Sequence, residues 1–139
     1  MANDVIINKA QIIERCIMRI NEEYAGDKRN LDNYTKQDSI ILNMQRACEA
    51  CIDLAMHIVC IEKYGIPQNS RDAFELLFEN GIINDEIAQK LKAMVGFRNI
   101  AIHNYQAVNI EIISKIIEVH LQDMIEFKKL ILRKTAKLI

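Results

Sequence analysis

Hydrophobic positions recur along this chain at helical spacing almost from end to end. Ile6, Ala10, Ile13, Ile17, Ile20 and Tyr24 follow at intervals of four, three, four, three and four. That spacing keeps one face of an α-helix apolar over about five turns. Asn3 or Asp4 offers the short oxygen-bearing side chain that caps exposed amides, so a first helix is predicted to start there. Ala25-Gly26-Asp27-Lys28-Arg29-Asn30 is polar, carries a glycine and reads as a surface loop. Ile40, Met44, Ala47, Cys51, Leu54 and Ile58 repeat the same intervals inside a second helix predicted from about Thr35 to Tyr64. Ile41, Cys48, Ile52, Ala55 and Val59 form a second stripe beside the first. An apolar face that wide belongs to a central helix, or to one covered on a second side by an added partner chain.

Gly65-Ile66-Pro67 is predicted to end the second helix, glycine supplying a left-handed cap and proline lacking the amide to continue. Ser70 is the expected cap of a short helix from Arg71 to Asn80 carrying Phe74, Leu77 and Phe78, and Gly81 its stop. Asn84 caps the next helix, with Ile87, Leu91, Met94 and Val95 on one face. Near Gly96 the pattern is expected to break. A last long helix starts at about Asn109 and carries Ile113, Ile117, His120, Met124, Phe127 and Ile131. No stretch shows the two-residue alternation of a strand. The expected architecture is all-α: an antiparallel helical bundle of three long and two shorter helices, one domain spanning residues 1–139.

Composition narrows the class. The chain has 139 residues, with 18 basic against 19 acidic side chains, so no global charge announces a nucleic-acid binder. No apolar run approaches ~18 residues, which argues against a membrane span or membrane partner. Met1-Ala2-Asn3-Asp4 lacks the basic start and apolar stretch of a secretory signal, so a cytoplasmic location is expected. Four cysteines, Cys16, Cys48, Cys51 and Cys60, fall within apolar helical patterns and read as reduced thiols. Cys48-x-x-Cys51 has a metal-like spacing, but it lies mid-helix with no second pair, so it reads as core. No metal and no cofactor are expected.

The candidate chemistry concentrates in Arg98-Asn99-Ile100-Ala101-Ile102-His103-Asn104-Tyr105. Arginine forks onto phosphate oxygens and stays charged. Histidine titrates near neutrality and moves protons. Tyrosine donates a hydrogen bond or accepts a modification. This suits phosphate esters; the alternative is a polar surface histidine and an arginine paired with a bundle acid. Glu49, Asp53 and His57 form a polar stripe on the second helix. Either Glu49 or Asp53 orients Arg98 or His103 across the bundle, or the stripe faces water. His120 sits within an apolar stripe and reads as a satisfied core or interface histidine. From Phe127 onward, Lys128, Lys129, Arg133, Lys134 and Lys137 occur without an acid. They form either a solvated face complementing the helix dipole or a strip for RNA phosphates.

Arg98, four residues, His103, one residue and Tyr105 resemble the signature of HepT-type toxins of the HEPN superfamily. Met94-Val95-Gly96-Phe97, the Arg98-Asn99 pair and the second-helix block from Ile41 to His57 are similar to that family as well. The resemblance implies a HEPN-like fold and a metal-independent ribonuclease toxin, a homodimer whose two motifs face a shared cleft. It implies a partner, an MntA-like minimal nucleotidyltransferase antitoxin, which transfers AMP to the motif tyrosine. By position, Arg98 and His103 would be catalytic and Tyr105 the modified residue, with Asn99, Asp53 and Glu49 in support. The alternative is a non-catalytic helical binding partner of a nucleotidyltransferase.

Overall fold

The stripes fold into helices that cover one another. A computed structural model of the chain describes residues 2–103 and 109–138, with side chains for residues 4–98 and 109–135. Helix α1 runs Ala2–Tyr24, a 3-10 turn Lys28–Asp32, α2 Tyr34–Ile61, α3 Ser70–Glu79 and α4 Asp85–His103. Then α5, Ile110–Lys115, passes through a π-helical segment, Ile116–His120, into α6, Leu121–Leu138. No strand occurs among the described residues, and the architecture is all-α.

Helix α1 lies along α2 in the opposite direction. Lys9 meets Asp53 at 3.0 Å, while Cys16, further along α1, lies near Arg46, earlier on α2. The α5–α6 rod runs antiparallel to α1 in the same way: Glu14 faces Lys128 and Tyr24 faces Ser114. Both stripes of α2 are buried, among them Ile40, Ile41, Met44, Cys51, Leu54 and Val59. The cover comes from α1, α3, α4 and α6 of the same chain. The wide apolar face therefore marks a central helix, and it gives no reason of its own to expect a second chain. Phe74 of α3 meets Phe127 of α6 edge to face, ring centres 5.6 Å apart, closing the far side of the core.

Asparagine side chains set the helix starts. Asn84 accepts from the Ile87 amide and Asn109 from the Glu111 amide, as the sequence predicts. Asn69, rather than Ser70, caps α3 by accepting from the Asp72 amide at 2.9 Å. Asn33 does the same for α2. Helix α1 begins at Ala2, so Asp4 stands in its first turn, where a carboxylate suits the helix dipole.

Four other expectations are corrected. The loop after α1 contains the 3-10 turn, capped by Asp27, and it buries Leu31 completely. The stop of α2 falls at Lys63, not Gly65. Lys63 takes the left-handed conformation (φ 57°), and the Tyr64 amide reaches back to the Val59 carbonyl. Cys60 is exposed, unlike the other three thiols. Most consequentially, α4 does not break at Gly96 but continues as helix to His103. A Cβ at Gly96 would stand 2.9 Å from the Arg71 guanidinium, the far end of a flexible side chain. A glycine inside a helix costs only ~1 kcal/mol against alanine, which neighbouring contacts readily offset.

Candidate functional site

The crossing of α2 over α4 places the first pair of site residues. Cys48 is buried on α2, and its thiol donates to the Met94 carbonyl of α4 at 3.7 Å. One residue onward on α2 is Glu49; one turn onward on α4 is Arg98. The crossing thus puts them face to face, and Arg98 Nη1 donates to Glu49 Oε1 in an ion pair. The Arg98 side chain is 17% exposed and that of Glu49 46%. The pair sits at the rim of the bundle. A carboxylate here fixes the direction of a guanidinium that stays charged across the physiological range.

The rest of the α2 stripe divides. Asp53, one turn beyond Glu49, is drawn to α1 by Lys9 rather than to α4. His57 is half-buried another turn along. His103 lies on the same helix as Arg98, five residues and about 7.5 Å of helix rise further on. Asn99 follows Arg98 directly, and the side chains of Asn99 and His103 lie outside the described residues, as does Tyr105 entirely. The expectation of an irregular segment is therefore corrected as far as His103: the motif's arginine and histidine share a continuous helical backbone.

Burial, partly opposed by Arg98 and slightly reinforced by Glu49, pushes the Cys48 thiol up to about 12, and burial raises the Cys51 thiol well above its ordinary value. Neither is a nucleophile at neutral pH; both fill core space. Among the described residues no three His, Cys, Asp or Glu side chains stand close enough to share a metal ion. His120 is satisfied by the buried Asp123, Nδ1 to Oδ2 at 3.1 Å, and Lys90 stands 3.7 Å from the same carboxylate. On the basic final helix, Lys128 reaches back toward Glu14 of α1.

One feature was missed from the sequence. A groove of about 780 Å³ lies between α1 and α2, and Arg15, Arg46, Glu49 and Asp53 border it. The signal available was the i, i+4 spacing of Arg15 and Arg19 on the outer face of α1.

Comparison with known proteins extends this picture. Residues 11–131 match the family model described as ribonuclease HepT-like. The mRNA nuclease HepT of Shewanella oneidensis is 49% identical over 125 residues, covering 90% of this chain and 94% of that protein. A tri-AMPylated Shewanella oneidensis HEPN toxin in complex with an MNT antitoxin superposes with a TM-score of 0.87 at 49% identity, over 92% of this chain and 96% of that one. A toxin–antitoxin structure with AMP-PNP gives 0.87 at 47% identity, over 92% and 98%.

Proposed function

The chain belongs to the HepT-like ribonuclease family, and from that premise we propose how its residues divide the work. It is the toxin of a toxin–antitoxin pair, a ribonuclease that cuts RNA and is neutralised by AMP transfer from an MntA-type nucleotidyltransferase. The observation that carries the site assignment is the Glu49–Arg98 pair, which holds the motif arginine at the bundle rim on the helix that also carries His103.

The substrate supplies its own nucleophile. His103 takes the proton from a ribose 2′-hydroxyl, whose oxygen attacks the adjacent phosphorus. The 5′-oxygen leaves with a proton, from the same imidazole or from that of a second subunit. Arg98 balances the charge that builds on the phosphorane oxygens, the moment at which a fixed cation contributes most. The products are a 2′,3′-cyclic phosphate and a 5′-hydroxyl. No metal or cofactor enters these steps. The whole chain, residues 1–139, forms one HEPN-like unit, two of which face each other as a homodimer with both motifs at a shared cleft. No described helix is long and apolar enough to cross a membrane, and the protein works in the cytoplasm, where mRNA is found.

Neutralisation adds AMP to the Tyr105 hydroxyl. The tyrosine oxygen attacks the α-phosphorus of ATP, and pyrophosphate leaves. The adduct puts a bulky anion near Arg98, which cancels the charge awaiting RNA and blocks His103. Expression of the chain is expected to arrest growth, and His103→Ala to relieve the arrest. Mass spectrometry after co-expression with the nucleotidyltransferase is expected to find AMP on Tyr105. Tyr24 is buried, whereas Tyr34 is 79% exposed, so an adduct on Tyr34 with none on Tyr105 overturns the switch. AMP on Tyr105 of a chain that cleaves no RNA supports the non-catalytic partner instead.

A further inference from the structure

The groove between α1 and α2 is not accounted for by the motif. Lys9, Arg15, Arg19 and Arg46 line it, together with three acids. Each acid is engaged: Glu22 by Arg19 at 3.2 Å, Asp53 by Lys9 at 3.0 Å, and Glu49 by Arg98. Arg15 and Arg46 are exposed. Among the described residues neither has a hydrogen bond or an ion pair. They line the groove from its two walls, Arg15 on α1 and Arg46 on α2, and both charges act on the buried Cys16 thiol. The face is therefore locally cationic in a chain whose net charge is −1. It is also continuous with the motif, because Arg46 lies one turn, ~4.5 Å of helix rise, before the carboxylate that holds Arg98.

We propose that single-stranded RNA lies in this groove on its way to Arg98, with Arg15 and Arg46 each holding a backbone phosphate. Planar, permanently charged guanidinium groups match phosphate oxygens. About a turn further along the groove, on the side away from Glu49, exposed Met18 and Leu42 present apolar surface on which base faces can rest. A strand held this way crosses α2 toward the scissile position at Arg98. The grip is on the backbone, so it confers affinity and register without sequence preference. The proposal rests on the ribonuclease reading but is tested apart from cleavage.

The test uses a fluorescein-labelled 2′-O-methyl RNA oligonucleotide, which lacks the nucleophile and cannot be cut. Its anisotropy is followed against the intact protein and the Arg15→Gln/Arg46→Gln variant over a range of salt. Both side chains are exposed, so the variant keeps its fold, verified by circular dichroism. Loss of two phosphate contacts flattens the slope of log affinity against log salt by about 1.4, and affinity at ~0.1 M salt falls roughly tenfold or more. An unchanged slope overturns the groove as an RNA path. So does a fall in molar mass of the variant by light scattering, which would make this face a contact between two copies of the chain. Wild type that binds the oligonucleotide with the full slope yet cuts no unmodified RNA sustains the groove and overturns the nuclease mechanism instead.

Discussion

The two ends of α4 do different jobs with different forces. Its first part, from Asp85 to Val95, carries Ile87, Ala88, Leu91, Met94 and Val95 into the core. Asp85 and Glu86 in the first turn complement the helix dipole, and Glu86 pairs with Lys90 one turn on. From Gly96 the burial fades, and Gly96, Phe97 and Arg98 are half-buried. There the apolar stripe gives way to an ion pair with α2. One helix is thus anchored by volume at one end and aimed by charge at the other. The difference shows how a chemistry-bearing side chain can be placed accurately with few contacts of its own, because the rigid first half determines where the second half points.

The sharpest way to break that contrast is to damage each end separately. Arg98→Ala is expected to lower RNA cleavage by about 10²–10³-fold, the usual loss when a charge-stabilising donor is removed. Its melting temperature should move little, since the Glu49 carboxylate left behind is half-exposed and takes up water. Leu91→Ala removes a fully packed side chain and should cost about 2–5 kcal/mol, lowering the melting temperature by roughly 10 °C. The cleavage rate per folded molecule should survive. Thermal melts and single-turnover cleavage of a labelled RNA read both. Equal loss of specific activity in the two variants would erase the distinction between anchor and aim.

That distinction was only half legible in the sequence. The anchoring half was plain, because Ile87, Leu91, Met94 and Val95 keep helical spacing and Asn84 advertises the cap. The aiming half was misread, because glycine followed by a polar cluster looks the same whether the chain turns or continues. The Arg71 guanidinium, from another helix, stands over the bare Cα of Gly96 inside the continuing helix. No local pattern carries that contact. The same holds for Glu49. The stripe Glu49, Asp53, His57 was visible, but spacing on α2 cannot say which carboxylate meets α4 and which meets α1. The crossing at Cys48 and Met94 settles it in favour of Glu49. The π-helical segment was equally hidden. Its hydroxyl chain, Tyr24 to Ser114 and Ser114 to Glu118, joins residues 90 positions apart. Left-handed Lys63 gave no signal at all, since lysine is not a residue that sequence reading assigns to that conformation.

Glu49 supplies the next, smaller test. If its carboxylate only aims Arg98, then Glu49→Gln keeps the side chain's size and loses the charge that orients the guanidinium. Misorientation of this kind should reduce kcat by about tenfold, while KM stays near its starting value because RNA is gripped elsewhere. Asp53→Asn breaks only the Lys9 pair, a partly exposed contact of the sort that contributes about 1 kcal/mol at most, and kcat should barely change. Steady-state cleavage of the two variants side by side reads the split. A larger kcat effect from Asp53→Asn would place the positioning carboxylate one turn along α2 from where the crossing puts it.

The smallest effect probes the junction between the two ends. Gly96→Ala replaces the residue with the least helix preference in α4 by the one with the most, which favours the helix by about 1 kcal/mol. Against this stands the new Cβ, 2.9 Å from Arg71 Nη2. That atom is the far end of a flexible side chain. Its anchoring hydrogen bond, from Nε to the Lys92 carbonyl, is long at 3.3 Å. Arg71 can swing aside with little loss, so the two contributions nearly balance with helix preference ahead. The expected result is a rise in melting temperature of a few degrees at most, with cleavage unchanged, because the backbone path from Val95 to Arg98 is already helical. A fall in stability by more than about 1 kcal/mol would mean that the contact with Arg71 outweighs helix preference. A fall in kcat at unchanged stability would mean something sharper: that α4 bends at Gly96 during turnover, and that its two ends are hinged rather than one rod.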